Sequence, residues 1–149
     1  MITSDGPRSK EFEKLQPGVA ANPYFRFLGI ELLDAGEGWV KMKMPFRPEF
    51  LQPQVMHGGA IYSLADSAAA YALLSVIYPQ ETATTIEQRI NFLKAVRSED
   101  VFCEARVVHL GKTLAYIEIT LTTGNDTLVA KSAATLMRLD PTRYVRPKE

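Results

Sequence analysis

The segment that most constrains this chain is residues 57–79, HGGAIYSLADSAAAYALLSVIYP. It carries glycine only at its front, no proline before Pro79, and alanine and leucine through its length. Such residues give up little side-chain freedom in a helix, so the run predicts a helix of about 20 residues, about 30 Å long. Apolar residues occur almost all round it, and a helix of that kind is buried on most sides. Ser63, Asp66, Ser67 and Ser75 interrupt residues 60–78, which read as too polar for a membrane span.

The cover for this helix must come from the rest of the chain. After Pro79 the character changes: residues 82–93, 100–110, 112–122 and 127–139 are rich in Val, Ile, Thr and aromatics, the composition of strands. Turn signals separate them, at 97–100, Leu110-Gly111-Lys112 and Gly124-Asn125-Asp126. Links this short favour antiparallel hairpins over crossovers. Before the helix, residues 30–35 and the alternating run 39–44 form another hairpin candidate across Gly36-Glu37-Gly38. Residues 10–16 predict a short helix stopped by Pro17-Gly18, and Asn22-Pro23 opens a further turn of helix over 24–28. Residues 1–9 and 141–149 read as loose ends. The expected fold is therefore α+β, one domain over 1–149 with a core of about 22–139: a curved antiparallel sheet wrapped around a long central helix. Sheet and helix alone leave apolar surface over, which predicts a dimer.

Composition narrows the function. Lysine plus arginine equals aspartate plus glutamate at 17 each, which argues against a nucleic-acid binder with its usual basic excess. The N-terminus is charged and lacks the apolar segment of a secretory signal, so a cytoplasmic location is expected and no membrane partner. Cys103 is the single cysteine and sits in the alternating run Val101, Cys103, Ala105, Val107, where a buried core thiol is expected rather than a nucleophile. Two histidines and one cysteine are too few for a zinc site, and no metal is expected.

Two features carry chemistry. His57-Gly58-Gly59 precedes the long helix, whose first N–H groups have no internal partners and sit at the positive end of its dipole. Glycine there opens the backbone to a ligand, and such donors stabilise a carbonyl oxygen that gains charge in acyl transfer. The same glycines also permit tight packing of the helix on the sheet. Asp66 lies in the helix interior among Leu64, Ala65, Ala68, Ala69 and Ala70, where a buried charge is costly. It is either a general base or a structural carboxylate bonded to a group such as Ser63 or Ser67. Gly58 and Asp66 are eight residues apart, about 12 Å along one helix. For both to serve one carbonyl carbon, the helices of two subunits must run antiparallel, as a two-fold dimer allows.

The run HGGAIYSLADSAAAYALLS resembles the helix motif of hot-dog-fold acyl-CoA thioesterases of the phenylacetic-acid-pathway (PaaI-like) type, and TTIEQRINFLKAV and HLGKTLAYIEITL resemble that family's next strands. The resemblance covers roughly residues 22–139. It implies hydrolysis of acyl-CoA at subunit interfaces of a homodimer that pairs into a homotetramer, with no cofactor, since CoA is part of the substrate. It further implies that Asp66, nine residues after His57, is base or nucleophile and that the Gly58 N–H holds the thioester oxygen. Thr85 matches a family serine or threonine that holds water. The family's asparagine before HGG is absent, with Gln52 as its substitute in a loop that is one residue short. Phe50, Leu51, Met56, Gly59 and Tyr62 are candidates to line the acyl site, and Lys112 is a candidate for a CoA phosphate, with Arg89, Arg97, Arg143 and Arg146 behind it. Each also has an ordinary reading as core, interface or solvated surface. Two other functions fit the same fold: an acyl-CoA binding protein without turnover, which the altered loop suggests, and a dehydratase of hydroxyacyl thioesters using His57.

Overall fold

A computed structural model describes residues 6–144. The expected tails at 1–9 and 141–149 fall largely outside that range, as does Arg146; Pro141–Tyr144 form a 3-10 turn. The elements are helices α1 (Lys10–Ala21) and α2 (Pro23–Leu28), strands β1 (Glu31–Gly36) and β2 (Trp39–Met44), a 3-10 turn at Pro48–Phe50, the long helix α3 (Gly58–Ile77), and strands β3 (Thr82–Phe92), β4 (Val101–Leu110), β5 (Leu114–Thr123) and β6 (Leu128–Leu139). One six-stranded sheet runs in the order β1-β2-β4-β5-β6-β3, and every adjacent pair is antiparallel. This is the hot-dog arrangement, with α3 in the concave face.

The alternation of the sequence explains the wrap. Val40, Met42 and Met44 of β2, Val101, Cys103 and Ala105 of β4, and Ile117, Ile119 and Leu121 of β5 point inward and are fully or almost fully buried. They meet Leu64, Ala65, Ala68, Ala69, Ala72 and Leu73 of α3, each at 0% exposure. Four alanines in that seam bring the helix axis close to the sheet, and two leucines fill the remaining gaps. By length and hydropathy (1.5 over its best window) α3 qualifies as a membrane span, contrary to the expectation from its serines and Asp66. What makes it a core helix is that the sheet covers it.

Two other expectations change. Helix α1 continues through Pro17 to Ala21. A proline inside a helix removes one hydrogen bond, here the one to the Glu13 carbonyl. Glu13 and Pro17 both lie on the exposed side, where water can satisfy that oxygen. Buried Phe12, Leu15 and Val19 hold the opposite side on the core, and Ser9 caps the start by accepting the Phe12 N–H at 3.0 Å. The second change is in the sheet. Strand β3 does not form a hairpin with β4; it pairs with β6 at the far edge. The link over 93–100 instead passes the start of α3, where the Val96 carbonyl accepts the Met56 N–H at 2.7 Å and the Val96 side chain is buried. That placement leaves the outer edge of β3 without a neighbouring strand in the sheet, with Ile86, Phe92 and Leu93 half exposed along and just beyond it.

Cys103 is buried as expected, and burial pushes its thiol well above the ordinary range. A bulge between Val107 and His109 breaks the alternation of β4 and leaves His109 exposed, so thiol and imidazole share no site.

Candidate active site

The start of α3 is built by a short turn before it. Leu51 and Met56 form an isolated bridge, and within it Gln52 N–H donates to the Val55 carbonyl at 2.6 Å. His57 N–H donates to the Phe50 carbonyl at 2.7 Å, which fixes the residue that opens the helix. His57 is the N-cap: its Nδ1 accepts the Gly59 N–H at 2.7 Å. Its carbonyl accepts from Ala60 at 3.0 Å and from Ile61 at 3.4 Å. Of the first four N–H groups of α3, three are therefore occupied. That of Gly58 has no acceptor among the described residues. Capping by the histidine leaves one donor at the positive end of the helix dipole.

Gly58 serves packing as well. A Cβ at this position would stand 2.9 and 3.1 Å from ring carbons of Phe92 at the end of β3. The glycine thus both exposes an N–H and admits an aromatic ring, so the two readings of HGG are not exclusive. Gly59 is different: a Cβ there would press on the His57 ring that caps the helix.

Two turns on, Asp66 is partly exposed, and its Oδ1 accepts the Thr85 hydroxyl at 2.8 Å. The hydroxyl comes from β3, not from the helix. Ser63 and Ser67 turn instead to backbone carbonyls one turn earlier, Gly59 and Ser63, at 2.9 and 2.6 Å. One turn before Asp66, the Tyr62 hydroxyl donates to the Gln88 carbonyl at 3.1 Å. Burial and the negative charges of Asp66 and Glu87 raise the Tyr62 phenol above its ordinary value. Asp66, Thr85 and Tyr62 thus form one cluster between α3 and the edge strand β3. A bulge between Thr85 and Glu87 re-aims β3 beside it, a common device next to functional groups.

The other candidates separate. Phe50 and Met56 are buried in the main core. Leu51 is partly buried in the bridge and Gln52 is exposed at its tip. Lys112 is exposed in the β4–β5 turn, at the far end of the molecule from Gly58. There Arg138 bonds the Gly111 carbonyl and both oxygens of Glu81, four residues beyond the end of α3. Arg89 lines a shallow concavity of about 190 Å³ with Tyr116, Glu118 and Lys131. A larger one, about 310 Å³, lies between α1 and Ser75. Neither is lined by Asp66. Arg97 and Arg143 are exposed, Arg97 with a long 3.4 Å contact to the Gln54 carbonyl. Among the described residues no three His, Cys, Asp or Glu side chains gather as a metal site would require.

Sequence reasoning missed the His57 cap and the role of Phe92. Histidine is not among the preferred capping residues, and Phe92 reads as one more apolar residue of a strand.

Comparison with known proteins agrees with this architecture. The profile of the Thioesterase superfamily matches residues 53–130, from the loop before α3 into β6. A protein of Archaeoglobus fulgidus named "Putative esterase" is 33% identical over 141 residues, which cover 92% of this chain and 89% of that one. Among solved structures, a thioesterase of Haemophilus influenzae superposes with a TM-score of 0.81 at 27% identity, covering 91% of this chain and 94% of that one. The E. coli PaaI protein from the phenylacetic acid degradation operon does so at 0.80 and 25% identity, covering 87% and 93%.

Proposed function

Because this chain belongs to the thioesterase superfamily, we propose that it hydrolyses acyl-CoA thioesters to the free acid and CoA. The observation that carries the proposal is two groups open to a substrate on one helix: the Gly58 N–H, left free by the His57 cap, and the Asp66 carboxylate, held through Oδ1 by Thr85 and partly open to solvent.

Both groups lie on α3, about 12 Å apart along its axis. A single thioester therefore takes them from two protomers. The free edge of β3 supports such a dimer, because an unpaired strand with exposed Ile86, Phe92 and Leu93 is ready to pair with a second copy. A two-fold axis beside β3 would bring the two α3 helices side by side and make two equal sites. Pairing of two such dimers into a tetramer is part of the same proposal, as is a cytoplasmic setting.

In each site the Gly58 N–H of one protomer donates to the thioester oxygen as it gains charge. Asp66 of the other either takes a proton from the attacking water or attacks the carbonyl carbon itself to give a mixed anhydride that water then opens. Thr85 fixes the carboxylate through Oδ1 and leaves Oδ2 to the reaction. Coenzyme A leaves as the thiolate and is protonated, by Asp66 in the first route and by solvent in the second, so the chemistry needs no further cofactor. His57 is engaged in capping through Nδ1, which argues against its use as the base of a dehydratase.

The test is thiol release from short, medium, long and aryl acyl-CoA thioesters by the wild type and Asp66→Asn. Turnover that is lost in the variant supports hydrolysis by Asp66. Equal turnover in the variant removes Asp66 from the mechanism. Tight binding with no turnover by the wild type points to a carrier, and an enoyl product from a 3-hydroxyacyl-CoA to a dehydratase.

A further inference from the structure

Asp66 lies on a strip of α3 between β3 and α2, and the two sides of that strip are made differently. At 100° per residue, Tyr62 and Ser63 flank Asp66 on the surface of α3. On the Tyr62 side lies β3, bonded through Thr85 and the Gln88 carbonyl. On the Ser63 side lies α2, whose Tyr24 hydroxyl is 2.7 Å from Ser63 Oγ. Between these walls the helix surface carries Gly59, Asp66 and Ala70, none of them fully buried. From Gly59 to Ala70 the floor runs about 16 Å, with small residues at both ends.

Tyr24 is held like a fixed wall. The Asn22 side chain accepts the N–H groups of Tyr24 and Phe25 at 3.0 and 3.2 Å, which sets the start of α2. The next residue, Phe25, is buried, with its ring 5.4 Å from that of Tyr71 on α3. Tyr24 nevertheless remains 52% exposed. A large aromatic side chain with its polar tip tied to the helix and its ring open to solvent stabilises little of the core, but it bounds the space beside Ser63.

We propose that Tyr24 is a specificity-determining residue that limits the girth of the acyl group accepted beside Asp66. The inference rests on the hydrolase reading above. A slender chain lies along the strip between Tyr24 and β3; a ring or a branched chain meets the tyrosine.

The experiment measures kcat/KM for benzoyl-CoA and hexanoyl-CoA, a wide and a narrow acyl group, on full-length wild type, Tyr24→Ala, Tyr24→Trp and Asp66→Asn. Tyr24→Ala is expected to raise the benzoyl-to-hexanoyl ratio roughly tenfold or more, the scale on which pocket volume discriminates. Tyr24→Trp is expected to lower it. Opposite shifts from the two variants cannot come from general destabilisation. Ratios unchanged in both, with Asp66→Asn inactive, overturn the role of Tyr24 and leave the hydrolase intact. Undiminished turnover by Asp66→Asn overturns the hydrolase reading itself.

Discussion

Replacing Thr85 by valine removes a hydroxyl and keeps the shape. In the wild type that hydroxyl donates to Asp66 Oδ1 at 2.8 Å. A hydrogen bond to a charged group contributes roughly 1.5–3 kcal/mol. Asp66 is partly exposed, so water replaces some of the interaction, and the net loss should be about 1 kcal/mol. For a domain of this size that is a fall of about 2–4 °C in Tm. Activity should fall much further. With Oδ1 released, the carboxylate turns about its last bond, and a misplacement of about 1 Å costs roughly 10²-fold. Thiol release is therefore expected to drop about 10- to 100-fold in kcat, while Thr85→Ser, which restores the donor, recovers most of it. A valine variant that melts lower but turns over at the wild-type rate would show that Thr85 holds the fold and not the carboxylate.

Other outcomes follow from single contacts. Gly58→Ala puts a methyl 2.9 Å from the Phe92 ring; that ring is half exposed and can yield, so stability should change by no more than about 1 kcal/mol. Alanine keeps the Gly58 N–H, so thiol release should fall only as far as the methyl obstructs the approach to it; Gly58→Pro, which the first helical position tolerates, removes the N–H and should lower it roughly 10²–10³-fold, the cost of losing one oxyanion donor. The Arg138 guanidinium beside Glu81 holds its carboxyl below the ordinary glutamate range. A depressed carboxyl stabilises the fold above its unfolded value of about 4.3 and loses that contribution as pH falls through the lower folded value. Melting curves of Glu81→Gln should accordingly lie below wild type at pH 7 and converge with it in acid. Cys103, buried with its thiol raised, should not react with a disulfide reagent in the native protein and should release one equivalent after denaturation; fast native labelling would contradict its place in the core.

How much of this was legible in the sequence depended on whether the signal was local. The α3 helix and the β1–β2 hairpin announced themselves by composition and alternation, and the spacing of Gly58 from Asp66 already pointed to two chains if both groups serve one carbonyl. The partner of β3 was not legible. A link over 93–100 looks like a hairpin turn, and only the burial of Val96 against the start of α3 shows it to be a crossover. Pro17 misled for a similar reason: local propensity stops a helix there, but the tertiary contacts of Phe12, Leu15 and Val19 carry α1 through. At the site, Asp66 stood out as a charge in an apolar helix, yet its partner was sought among nearby serines. Those serines satisfy themselves on their own helix, and the true partner comes from a strand 19 residues away.

The central claim is that one site takes its oxyanion donor from one protomer and its carboxylate from another. Coexpressing Asp66→Asn and Gly58→Pro chains, the second lacking the N–H, under different tags and isolating the mixed dimers tests it directly. In such a dimer one site combines an intact Gly58 with an intact Asp66, and the other combines both lesions. Thiol release is expected at about half the wild-type rate from mixed dimers whose parent homodimers are each nearly inactive. Mixed dimers as inactive as their parents would place both groups of each site within a single chain and rule out a site shared between protomers.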